Sequence, residues 1–296
     1  MTLVDKYAGQ NFFDQWDFFT SADPTHGNVE YVSQQEATSL GLTSVGSDNV
    51  TFIAVDDNSI VPVGGNRKSV RITSQKSYSG GLFVMDANAM PTGCATWPAF
   101  WTVGPNWPQN GEIDIVEGVN QQTNNQMTLH TASGCTLDAS ARPLLSDTKA
   151  FLGSVLSTTC DAFANSNSGC GITDSDPNSF GVGVQKGGGA IFAMKWDTIG
   201  IRIWHFNRSN TPSDLTAFAP NPSTWPVPSA FWSTATCSVD EFFEQHNIVI
   251  NTSLCGDFAG SLYPSSGCPG TCAERVADPS NFQDAKWKIN YVAVYQ

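Results

Sequence analysis

The sequence predicts an all-β protein in which two antiparallel sheets pack face to face as a sandwich. Two observations carry this. Short runs with period-two alternation recur between turn signals, with no helical periodicity between them. The composition is also rich in turn formers, with 26 Gly and 16 Pro, while only 14 % of residues are charged, a mix poorly suited to long helices.

The runs, in chain order, are 69–73 (SVRIT), 81–85 (GLFVM), 190–196 (AIFAMKW), 201–206 (IRIWHF), 247–251 (NIVIN) and 288–295 (KINYVAVY). The runs recur between turn signals with period-two patterning. A Gly/Cys-rich loop, 255–272, separates the last two, and the only helical turns expected are 239–243 and 279–282. No repeat, low-complexity tract or Pro/Ser linker divides the 296 residues. One domain spanning 1–296 is therefore expected, and large sandwiches commonly run past 200 residues as one unit.

A net charge of −13 argues against nucleic acid, because phosphate is repelled and no Lys/Arg cluster compensates. An acidic surface suits a neutral substrate or an acidic medium, and it equally serves solubility. No apolar run approaches the ~18 residues of a membrane span, so no membrane partner is expected, and the chain is read as a monomer.

Eight cysteines (Cys94, Cys135, Cys160, Cys170, Cys237, Cys255, Cys268 and Cys272) lack CxxC pairing, and His26, His130, His205 and His246 lie far apart. A zinc site is not expected, nor any other metal or cofactor. Up to four disulfides in an oxidising compartment fit better. Cys160/Cys170 and Cys268/Cys272 are near enough to staple local loops, and Cys94/Cys135 flank an acidic motif. The first residues contain no signal-peptide core, so secretion implies a leader already removed. Sequons at Asn49, Asn207 and Asn251 support secretion weakly.

The chemistry concentrates in 111–118, Gly-Glu-Ile-Asp-Ile-Val-Glu-Gly. Ile113, Ile115 and Val116 favour a strand. On a helix Glu112 and Glu117 would point about 140° apart. On a regular strand Glu112 and Asp114 share one face, and the five-residue step sends Glu117 to the other. One extra residue in a β-bulge restores the phase and gathers all three acids on one face. The two glutamate Cα atoms would then stand roughly 13 Å apart at ~3.3 Å per residue. Side chains leaning inward can bring the carboxyls to about 5–5.5 Å, the spacing of retaining glycosidases; an inverting spacing of about 6.5–9.5 Å is also reachable. An ordinary half-exposed strand fits poorly, because three like charges on one face destabilise it and the segment holds no Lys or Arg. Such a cost is intelligible where neighbouring carboxylates must have different pKa values.

Upstream, 97–108 reads Trp-Pro-Ala-Phe-Trp-Thr-Val-Gly-Pro-Asn-Trp-Pro. Phe100 reads as core. Trp107, between Asn106 and Pro108, reads as loop, where an exposed indole suits stacking on a sugar face.

Together, the Trp-Pro-Ala-Phe-Trp run, the second Trp-Pro and the acidic octapeptide resemble the signature of glycoside hydrolase family sixteen. The resemblance is closest to its fungal laminarinases, secreted endo-β-1,3(4)-glucanases. It extends to Tyr7-Ala8-Gly9-Gln10-Asn11-Phe12-Phe13-Asp14, Asp23-Pro24-Thr25-His26-Gly27-Asn28-Val29, 249–251, 254–260 and Trp287-Lys288-Ile289-Asn290-Tyr291. The resemblance implies a β-jelly-roll sandwich with a concave cleft and β-glucan polysaccharide or oligosaccharides as substrate. It also implies Glu112 as nucleophile, Glu117 as acid/base and Asp114 as the acid assisting between them. His130 would stand beside the acids, Trp101 and Trp107 would line the cleft, and Arg71 and Asn28 would lie toward the non-reducing side. Relatives without the bulge, the lichenases, carry E-x-D-x-E, so the extra residue places this chain in the laminarinase-type branch. Two other readings stay open: a cell-wall transglycosylase using the same residues, and a non-catalytic glucan-binding jelly roll.

Overall fold

The computed structural model describes residues 1–140 and 150–296. Among them, two eight-stranded antiparallel sheets dominate. The first runs in the order Ala230–Ser233, Gly200–Asn207, Ala190–Asp197, Gly81–Ala89, Lys286–Tyr295, Thr51–Ala54 and Thr43–Val45, and Leu3–Tyr7 also pairs with Lys286–Tyr295. The second carries the acidic strand and runs Ser154–Val155, Cys170–Thr173, Gln126–His130, Glu112–Glu117, Thr96–Val103, His246–Leu254, Arg71–Tyr78 and Trp16–Phe18.

Period-two patterning explains how the sheets meet. Phe83, Met85, Phe192, Met194, Ile201, Ile203, Val292 and Val294 from the first sheet pack on Ile72, Phe100, Ile113, Met127, Leu129, Ile248 and Ile250 from the second. The alternate residues of Thr96–Val103 (Trp97, Trp101 and Val103) are only half-buried. This sheet therefore turns one face to the core and opens the other.

Five of the six expected runs are single strands, each longer than the patterning suggested. The run at 69–73 is two elements: Ser69 ends a short strand, Arg67–Ser69, paired in parallel with Val29–Tyr31, and Arg71 begins the strand paired with His246–Leu254. Turns form at Val239–Phe242 and Pro279–Phe282, but they are not the only helical segments. Gln34–Ser39 starts where Ser33 accepts the Glu36 N–H, and Cys272–Ala277 starts at a Thr271/Glu274 capping box. That S/T-x-x-E spacing is legible in the sequence.

Four disulfides close the fold: Cys94–Cys268, Cys135–Cys237, Cys160–Cys170 and Cys255–Cys272. Only the Cys160/Cys170 pairing agrees with chain proximity. Cys268 and Cys272 do not pair with each other, nor do Cys94 and Cys135. Cysteines bond where their Cβ atoms converge in the folded chain, and Cys94 meets a partner 174 residues away.

Candidate active site

The site grows from one irregularity in the acidic strand. Glu112, Ile113 and Asp114 stand opposite Val103, Thr102 and Trp101, but the next paired residue is Val116, opposite Phe100. Ile115 is therefore the extra residue of a bulge. On the other edge Asp114 faces Thr128 and Glu117 faces Gln126, with the register shift between them. Ile115 and Val116 both turn into the core, and Glu117 returns to the face of Asp114.

A bulge leaves backbone groups without ladder partners, and buried ones must find others. Asn125, fully buried, supplies them. Its Nδ2 donates to the Ile115 carbonyl at 2.9 Å, and its Oδ1 accepts the Glu117 N–H at 3.0 Å. Nothing in the sequence separates Asn125 from its polar neighbours Asn124 and Gln126.

The three acids occupy different environments. Glu112 is half-buried, whereas Asp114 and Glu117 are 2 % and 9 % exposed. Burial and the charge of Glu112 push the Glu117 carboxyl up to about 7, against the opposing pull of His130 and a hydrogen bond donated by Trp97. That bond, Nε1 to Oε1, is 2.9 Å long. Burial and the charges of Glu112 and Glu117 also hold Asp114 well above the usual carboxylate range.

His130 stands in the adjacent strand opposite Glu112, with its Nε2 3.4 Å from Asp114 Oδ2. Burial disfavours its cation. The contact with Asp114 and the charges of Glu112, Asp114 and Glu117 outweigh that and lift its pKa to about 10. His130 is thus placed to supply the counter-charge that the acidic segment lacks in its own sequence. Glu112, Asp114 and His130 bring one ligating atom each within 4.8 Å of one another. Cys135, Cys160 and Cys170 are similarly close but are all disulfide-bonded.

The remaining expected residues spread outward from the acids. Trp101, opposite Asp114, is half-buried and donates from Nε1 to Asn251 Oδ1 at 2.8 Å. Asn251, a sequon residue, is buried on this face, and its Nδ2 donates to Tyr31 Oη at 3.2 Å. The Arg71 guanidinium lies 5.0 Å over the Trp101 ring and 4.6 Å over Phe19. Arg71 shares a cross-strand row with Glu117 through Asn251 and Ala99, three strand steps or about 14 Å away. Trp107 is 42 % exposed on the turn before the acidic strand, its ring 6.5 Å from that of Phe163. Asn28 lies apart from the acids at the sheet border, where its N–H donates to the Leu254 carbonyl at 2.8 Å. Its Nδ2 donates to Gly64 O at 3.4 Å. The structure thus brings Glu112, Asp114, Glu117, His130 and Trp101 together. Arg71 lies against Trp101, Trp107 stands on the preceding turn, and Asn28 is held on the Leu254 backbone. Sequence reasoning left Trp97 without a role, although it sits in the same Trp-Pro-Ala-Phe-Trp run.

Residues 16–295 match a family model described as the XgeA-like catalytic GH16 domain. A probable glycosidase of Schizosaccharomyces pombe is 42 % identical over all of this chain, which covers 69 % of that protein. An endo-1,3(4)-β-glucanase of Arthroderma benhamiae is 41 % identical over 99 % of the chain, which spans 64 % of that relative's length. Among solved structures, laminarinase 16A from Phanerochaete chrysosporium, with β-glucans in donor and acceptor sites, superposes with a TM-score of 0.93. It is 37 % identical, and the match covers 100 % of this chain and 99 % of that one. An elongating family 16 β-1,3-glucosyltransferase gives a TM-score of 0.91 at 36 % identity, with the same coverage. The two-sheet fold, the bulged acidic strand and these likenesses agree: the chain belongs to glycoside hydrolase family 16, on its fungal laminarinase side.

Proposed function

We propose that residues 1–296 act as one exported, monomeric catalytic domain. It cleaves internal β-1,3 or mixed β-1,3/1,4 bonds of glucans with retention of anomeric configuration. The observation that carries this reading is the split between two glutamates on one open face. Glu112 is half-buried and accessible, while Glu117 is buried and keeps its proton up to about 7. Glu112 attacks the anomeric carbon as Glu117 gives its proton to the leaving oxygen. Glu117, now a base, then draws a proton from water, which releases the sugar from Glu112. Asp114 and His130 form the polar floor beneath the nucleophile. Trp101, Trp107 and Arg71 offer flat faces and a cation along the cleft, with Asn28 at its far end. Four disulfides and the kinship with fungal glucanases support export.

The likeness to an elongating glucosyltransferase favours a second reading, in which a sugar hydroxyl replaces water in the second step. Incubation with laminarin separates the two. Hydrolysis raises reducing ends in step with chain shortening, whereas transfer redistributes chain length at constant reducing ends. Early-time proton NMR of the product should show the β-anomer first. An α-anomer appearing first would overturn retention.

A further inference from the structure

His130 is held from two sides. Besides its approach to Asp114, its Nδ1 lies 2.9 Å from Asn167 Oδ1. Asn167 belongs to the loop between Cys160 and Cys170, which their disulfide closes at the base. The backbone there is unusual: Asn165, Ser166 and Asn167 have φ values of 49°, 56° and 60°. L-residues visit this left-handed region singly and at a cost, and three in succession persist only where the surroundings impose them. Gly169, at φ 57°, presses the loop on the ring, since a Cβ there would lie 2.8 Å from His130 Cε1 and 2.6 Å from the Leu129 carbonyl.

We propose that Asn167 is a positioning residue, which the left-handed turn carries to His130 so that its carboxamide oxygen accepts the Nδ1 proton while Nε2 faces Asp114. A neutral imidazole has one N–H and would leave one of these two acceptors against a bare nitrogen. With Asp114 ionised, acceptors on both sides select the cation and fix the ring plane. The charged groups facing the ring are Asp114, Glu112 and Glu117 on the acidic strand. The loop's own acid, Asp161, instead accepts the Phe163 N–H at 2.9 Å. The inference rests on the retaining reading for its catalytic meaning, but not for its geometry.

The test compares Asn167→Leu and Asn167→Asp in the full chain. Histidine ¹⁵N NMR should show wild-type His130 doubly protonated through pH 8. In Asn167→Leu the cation should be lost about one pH unit or more lower, the loss of one charge-assisted hydrogen bond. Asn167→Asp, which keeps the acceptor, should restore it. On laminarin the Leu variant should lose on the order of tenfold in kcat with KM little changed, matching that same hydrogen bond, and the Asp variant should recover most of the loss. Identical His130 titration in wild type and Asn167→Leu would overturn the proposal. An NMR difference in a wild-type protein that leaves laminarin intact would instead uphold the Asn167 contact and reject the glucanase reading.

Discussion

Arg67 and the Glu112–Asp114–Glu117 cluster are two buried ionic regions that treat charge in opposite ways. The Arg67 side chain is fully buried and fully matched. It donates to the carbonyls of Val276 (2.7 Å), Asp56 (2.8 Å), Ser59 (2.9 Å) and Ala277 (3.1 Å), and it lies 4.9 Å over the Phe282 ring. The Asp56 carboxylate stands 3.9 Å away. Although burial pushes the other way, hydrogen bonds from Ser59 and Asn58 and the charge of Arg67 hold that carboxylate below its usual range. In the acidic cluster three carboxylates share one imidazole, and two of them are held above their usual range. A matched buried charge locks segments distant in the chain together. A mismatched one leaves protons that can be moved.

This contrast predicts a separation of activity from stability. The largest effect is expected from the acids. Glu117→Gln should cut turnover of laminarin by about a hundred- to ten-thousandfold, and Glu112→Gln by at least as much, with melting temperatures equal to wild type or higher. Melting that falls in both variants would show that the cluster is built for stability. Arg67→Met should do the reverse, costing about 3–5 kcal/mol in denaturant titrations because the matched carbonyls and Asp56 lose their cation, with kcat per folded molecule unchanged.

The pH dependence of stability sharpens the point. The folded-state pKa of Glu117 is raised from 4.5 to about 7. Its protonated form therefore favours the folded state below pH 4.5, and that contribution is lost as pH rises through about 7. Glu117→Gln should match wild-type stability near pH 4 and exceed it near pH 8, by up to about 3 kcal/mol. An advantage that shrinks with rising pH would contradict the assignment. The smallest effect concerns Trp97, whose indole N–H stabilises ionised Glu117. Trp97→Phe should move the alkaline limb of the pH–rate profile upward by about half a unit, and a downward shift would place the proton elsewhere.

How much of this was legible in the sequence follows from which interactions are local. Strand side chains alternate strictly, so the five-residue step from Glu112 to Glu117 already requires a bulge if the two are to share a face. Phe100, an aromatic in a strand, was likewise expected inside, and it is. The partners that complete the site are tertiary. Asn125 and Asn167 are common loop residues whose roles exist only once the chain brings them to the bulge and to His130. Cysteine proximity misled for the same reason, as Cys255 rather than Cys268 meets Cys272. The break at Val70 had no local signal, because Ser69 and Arg71 are claimed by different neighbours.

The central claim is that the bulge turns two glutamates of one strand into a nucleophile and an acid. Trapping with a 2-deoxy-2-fluoro-β-laminaribiosyl fluoride, followed by peptide mass spectrometry, tests it most directly. A covalent sugar is expected on Glu112 and none on Glu117. A label on Glu117, or turnover in Glu112→Gln equal to wild type, would contradict it.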